Sequence, residues 1–148
     1  MVERTRGYAH RIDLRASPET VWTALTDARQ ATHWCAPEVR IDARMGGHYW
    51  IGAPQGSGRD AHIDVFEAPR RLRLIYLPAA GLPPGEAVLV DDFLIAGREG
   101  ATVLRLLGSG VPNDHAWDRF FVQLRLGWEQ ALRRFKLFLE RQPAARGV

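Results

Sequence analysis

Between Tyr8 and Arg15 apolar and polar residues alternate, with Tyr8, His10, Ile12 and Leu14 on one side and Ala9, Arg11, Asp13 and Arg15 on the other. A period of two marks a strand with one buried face. Ser17-Pro18-Glu19-Thr20 then sets up a helix, Ser17 as N-cap and Pro18 at the first helical position, where a missing N–H costs nothing. Val21, Trp22, Ala24 and Leu25 supply its apolar stripe, and a second helical turn is expected over Ala28 to Trp34, stopped by Pro37. From Glu38 the pattern is a meander. Strands are expected at Val39 to Ala43, His48 to Gly52, Ala61 to Glu67, Leu72 to Leu77, Ala87 to Ala96 and Thr102 to Leu107. Gly46-Gly47, Gly56-Ser57-Gly58, Ala68-Pro69, Gly81 to Gly85 and Gly97 to Gly100 separate them, and connections this short pair strands antiparallel.

Beyond Pro112 the period changes. Trp117, Phe121, Leu124, Trp128, Ala131, Phe135 and Phe138 recur every three or four residues, with Asp118, Arg119, Gln123, Arg125, Glu129, Arg133 and Lys136 between them. One long amphipathic helix is expected, capped near Asn113 or Asp114 and ending before Pro143, with Ala144 to Val148 as a frayed tail. Its stability must come from burying that stripe, which calls for a concave partner, and a twisted antiparallel sheet of six or seven strands offers one. The predicted class is therefore α+β, a curved sheet around a long C-terminal helix.

Four stretches carry a family likeness: Ala16-Ser17-Pro18-Glu19-Thr20-Val21-Trp22 with Ala24-Leu25-Thr26-Asp27, then Trp34, then Met45-Gly46-Gly47-His48-Tyr49, then Glu67-Ala68-Pro69-Arg70-Arg71-Leu72. Gly100-Ala101-Thr102-Val103-Leu104 and Gly127-Trp128 with Leu132 and Leu139-Glu140 complete it. In this order the chain resembles the START-like (SRPBCC) superfamily, with its helix-grip fold, and within it the homologues of the activator of heat-shock protein 90 ATPase. Met45 departs from the pattern, standing where the family often has proline. The resemblance implies a cavity between sheet and long helix that binds a hydrophobic small molecule. It also implies two other classes of function: an enzyme such as a polyketide cyclase or hydrolase, and an interaction module that forms a homodimer or acts as a co-chaperone on a chaperone ATPase. The eukaryotic co-chaperone carries a further N-terminal domain, which weighs against the chaperone reading.

Composition narrows this picture. The 148 residues predict one START-like domain, its core over about residues 8–141, and 46% hydrophobic with 25% charged residues excludes a disordered chain. The net charge of +3 comes with arginines spread along the chain, without the clustered basic face of a nucleic-acid binder. No apolar run approaches a membrane span and the N-terminus has no signal-peptide pattern. Cys35 is the only cysteine, so no disulfide forms within the chain and a cytoplasmic location is expected. No cofactor is called for.

Candidate cavity residues are Trp34, Tyr49, Ile51, Tyr76, Phe93, Trp117, Phe121, Leu124 and Trp128, since large aromatics both fill cores and line pockets. For each the plain alternative is packing. Asp91-Asp92 stands out, because consecutive strand residues face opposite ways and one carboxylate must point to the concave side. An ion pair would satisfy it; so would a polar ligand group. His62, expected beside Asp64, is a third polar candidate, as a base with its orienting acid or as a solvated cross-strand pair. His33 and Cys35 could hold zinc, but a closed site needs four ligands and no CxxC or HxxxH completes them. Cys35 beside His48 or His115 would make a nucleophile, against the commoner role of a lone cysteine as inert packing.

Overall fold

The structure, a computed structural model, describes residues 4–52, 58–79 and 81–141. Its elements are β1 (Thr5–Leu14), α1 (Pro18–Thr26), α2 (Ala28–Ala31), β2 (Glu38–Ile41), β3 (His48–Gly52), β4 (Gly58–Glu67), β5 (Arg71–Tyr76), β6 (Val90–Arg98), β7 (Ala101–Pro112), a 3-10 turn (His115–Trp117) and α3 (Asp118–Glu140). The strands form one antiparallel sheet of seven, in the order β1-β7-β6-β5-β4-β3-β2. The first strand thus pairs with the last, and α3 crosses the concave face with α1 and α2 beside it. The helix-grip architecture expected from the sequence is the one observed.

The Ser17 Oγ accepts from the Thr20 amide at 3.1 Å, which caps α1 as expected. Its last turn leaves backbone carbonyls in need of donors. Two aromatic side chains supply them: Trp34 Nε1 donates to the Ala24 carbonyl at 2.9 Å and Tyr49 Oη to the Leu25 carbonyl at 2.7 Å. Trp34 also meets Phe135 of α3 edge-on, ring centres 4.4 Å apart. The second half of α3 is sealed onto the core by Ala131, Leu132, Phe135 and Leu139, all buried. In its first half Phe121 and Leu124 are only half-buried, and space remains beneath it.

Several boundaries differ from the sequence reading. β4 begins at Gly58 rather than Ala61, and β6 at Val90 rather than Ala87, after the Pro83-Pro84 connection. β7 continues through Gly108-Ser109-Gly110 to Pro112, where a strand end was expected at Leu107, because these residues pair with Arg6 and Tyr8 of β1 and with Val90 and Asp91 of β6. Asp114 caps the 3-10 turn by accepting from the Ala116 amide, so α3 itself starts four residues later. The turn expected at Gly56 and Ser57, and the tail from Ala144 to Val148, lie outside the described residues. No helix is long and apolar enough to cross a membrane among the described residues.

Candidate functional site

Asp91 of β6 is wholly buried on the concave face. It lies in a row of cross-strand neighbours in which Tyr8 pairs with Gly108 and Gly108 with Asp91. A Cβ built on Gly108 would stand 2.0 Å from Tyr8 Cζ. The missing side chain is what lets the Tyr8 ring lie across β7 and donate its hydroxyl to Asp91 Oδ1. From the other side Trp128 of α3 donates its indole N–H to Asp91 Oδ2 at 3.1 Å, with its ring edge-on to Phe93. The Tyr76 hydroxyl is turned to the same carboxylate with geometry short of a hydrogen bond, and is left buried without a partner among the described residues.

Loss of solvent raises the Asp91 carboxyl above its ordinary value, and the Arg59 charge with the Tyr8 and Trp128 donors pulls part of the way back. The same burial, with the Asp91 charge next, raises the Tyr8 phenol and keeps it a donor. Arg59 of β4 lays its guanidinium 3.8 Å above the Tyr76 ring. Its Nη2 is buried and has no partner among the described residues.

Between this cluster and solvent lies a cleft of about 260 Å³. Leu124, Gly127, Trp128 and Ala131 of α3 form one wall, Ile51 and Arg59 of β3 and β4 the other, and Cys35, Gln123, Gln130 and Arg134 the rim. A Cβ at Gly127 would meet nothing within 4 Å, so this glycine leaves part of the space empty. Arg134 is held in place by its Nε, which donates to the Trp34 carbonyl at 2.9 Å. Burial pushes the Cys35 thiol up to about 12, so it stays protonated at neutral pH and is a poor nucleophile.

The expected cavity residues divide. Ile51, Leu124 and Trp128 line the cleft, Phe93 and Tyr76 lie behind it, and Phe121 packs on Tyr8 with Arg6 over its ring. Trp34 and Tyr49 lie apart from it, bound to the end of α1. Trp117 lines a second and larger space, about 920 Å³, walled by Pro78, Ala79 and Leu82 to Val88, and donates to the Pro84 carbonyl there at 3.2 Å. That space has more volume, but it is the smaller cleft between sheet and helix whose lining includes Arg59, with its buried unpartnered nitrogen. Asp92 and His62 face the outer side of the sheet, because each follows or precedes an inward residue by one position. There Asp92 is clasped by Arg71 at 2.8 Å and Arg73 at 3.0 Å, while His62 pairs across strands with His48 and Ile75. Burial works to raise the Asp92 carboxyl, but the two guanidiniums outweigh it and hold it low. His33 stacks on Phe138, and His115 is exposed beside Asp118, so neither histidine nor the outward His48 meets Cys35 in a catalytic pair. Tyr8, Arg59, Gly108 and Gly127 were not among the expected site residues.

Comparison with known proteins places this architecture. The family described as Activator of Hsp90 ATPase homolog 1-like protein matches residues 15–140. The chain belongs to that family. Among solved structures, a Mesorhizobium loti protein aligns with a TM-score of 0.83 at 22% identity, over 93% of this chain and 98% of its own. CalU16 from Micromonospora echinospora aligns at 0.71 and 25% identity, over 90% and 76%. The Aha1 dimer from Colwellia psychrerythraea, solved in solution, aligns at 0.76 and 21% identity, over 92% and 97%. At these identities the three structures speak for a common fold. No curated protein matches the chain.

Proposed function

We infer that this chain binds a hydrophobic small molecule in the cleft beneath the first half of α3. The observation that carries the reading is a cleft with apolar walls whose lining includes a guanidinium with a buried nitrogen that has no partner among the described residues, Arg59 Nη2. Native proteins pair nearly all such groups, and an exception points to an absent water or ligand. The size fits a small guest: a cavity of about 150 Å³ holds a benzene ring, so 260 Å³ has room for a body of one or two rings. Family membership is consistent with binding and adds no substrate.

Binding accounts for the polar cluster better than catalysis does. Both Asp91 oxygens are already engaged by donors, and the thiol at the rim is held neutral. Native mass spectrometry of the purified protein, with titration by the neutral fluorescent dye N-phenyl-1-naphthylamine, tests the reading. A co-purified small molecule, or saturable binding of one dye per chain, is expected. Absence of both would sink it.

A further inference from the structure

The charges around the cleft are one-sided. Among the described residues its lining includes two guanidiniums, Arg59 and Arg134, and no carboxylate. Asp91 sits behind Trp128 with one oxygen accepting from Tyr8 and the other from Trp128. It can balance Arg59 through space, but no ion pair joins the two among the described residues. The Arg59 guanidinium is stacked on Tyr76, with one terminal nitrogen buried and unmatched among the described residues. Arg59 as a whole is half-buried, and a guanidinium nitrogen left this way is costly unless an acceptor completes it, best one of opposite charge.

We propose that the guest is a lipophilic organic anion whose acid group meets the Arg59 guanidinium while its apolar body lies against Ile51, Leu124 and Trp128. The proposal rests on the binding reading above and names its ligand class. A guanidinium presents paired N–H donors that match the two oxygens of a carboxylate, and such charge-assisted bonds are about twice as strong as neutral ones. Arg134, fixed at the rim by Trp34, adds a second positive charge on the route in. Gln123 and Gln130 offer neutral hydrogen bonds there without repelling an anion.

The test compares three acids with their primary amides, which have nearly the same shape and no charge: benzoate, 2-naphthoate and 4-phenylbutanoate, titrated by calorimetry at neutral pH. At least one acid should bind tenfold or more tightly than its amide. In Arg59→Gln that acid should weaken by tenfold or more while the amide stays within about twofold, the change expected when one charged hydrogen-bonding group is removed. An amide that binds as tightly as its acid, with both blocked by Gly127→Leu, would overturn the anion preference and leave an apolar cleft. An acid preference that survives Arg59→Gln would also overturn it, since the recognising group would lie elsewhere. If no acid and no amide binds, the anion proposal falls, and if the neutral dye also fails the binding reading falls with it.

Discussion

Gly127 lies in the middle of a 23-residue helix, where glycine is a poor choice. In a helix interior it costs about 1 kcal/mol relative to alanine, through extra backbone freedom in the unfolded chain. Nothing stands within 4 Å of the Cβ that alanine would add, so no clash offsets the gain. Gly127→Ala should therefore stabilise the protein by about 1 kcal/mol, which for a domain of this size raises the melting temperature by about 2–4 °C. Gly127→Leu should keep most of that gain, since leucine is also a good helix former, while its side chain enters the cleft and excludes the guest. Thermal unfolding followed by circular dichroism reads the first effect and dye titration the second. The two should move in opposite directions, with stability up and binding down. A destabilised Gly127→Ala would refute the reasoning, because it would mean the space beside the helix is already filled. Undiminished dye binding by a folded Gly127→Leu would place the guest in some other part of the molecule.

Gly108→Ala should act the other way, costing about 3 kcal/mol from displacement of the Tyr8 ring and loss of a donor to buried Asp91. In a Tyr8→Ala background the same change should cost little, and urea unfolding of the four proteins of this cycle checks the coupling. For Asp91 the folded carboxyl lies above its ordinary 3.8, so the folded state holds the proton more tightly and stability should fall as pH rises from about 4 through the folded value. Asp91→Asn should remove that fall, whereas Asp92, held low, contributes stability that is present above about pH 4 and lost on acidification below it. Urea titrations from about pH 3 to pH 8 would contradict this if wild type and Asp91→Asn ran parallel.

The fold was legible because its signals are periodic and redundant. The alternation from Tyr8 to Leu14 and the helical spacing from Trp117 to Phe138 each repeat over many residues, so an error at one position changes little. The Asp91-Asp92 pair was legible for a simpler reason: neighbouring strand residues face opposite ways, and the sequence leaves open only which faces in. The individual site was harder. Arg59 falls just after Gly56-Ser57-Gly58, where glycine reads as a turn, yet Gly58 opens a strand that carries Arg59 inward. Gly108 reads as a strand end, and only the three-dimensional row shows that its emptiness is occupied by a tyrosine a hundred residues earlier. Trp34 and Tyr49 satisfy carbonyls of α1, a need that arises from where the helix ends and not from any pattern around those two residues.

The pairing of β1 with β7 joins Thr5 to Pro112. During synthesis the first strand therefore emerges long before the segment that gives it a neighbour, and it must wait while some hundred residues follow. Contacts that distant along the chain form late and slowly. Until then both of its edges are unpaired, the kind of surface that recruits other chains, and one stays so because β1 ends the strand order. Arg6, Arg11 and Asp13 put charge along that segment, a safeguard that serves before β7 arrives and afterwards, since β1 stays at the margin of the finished sheet.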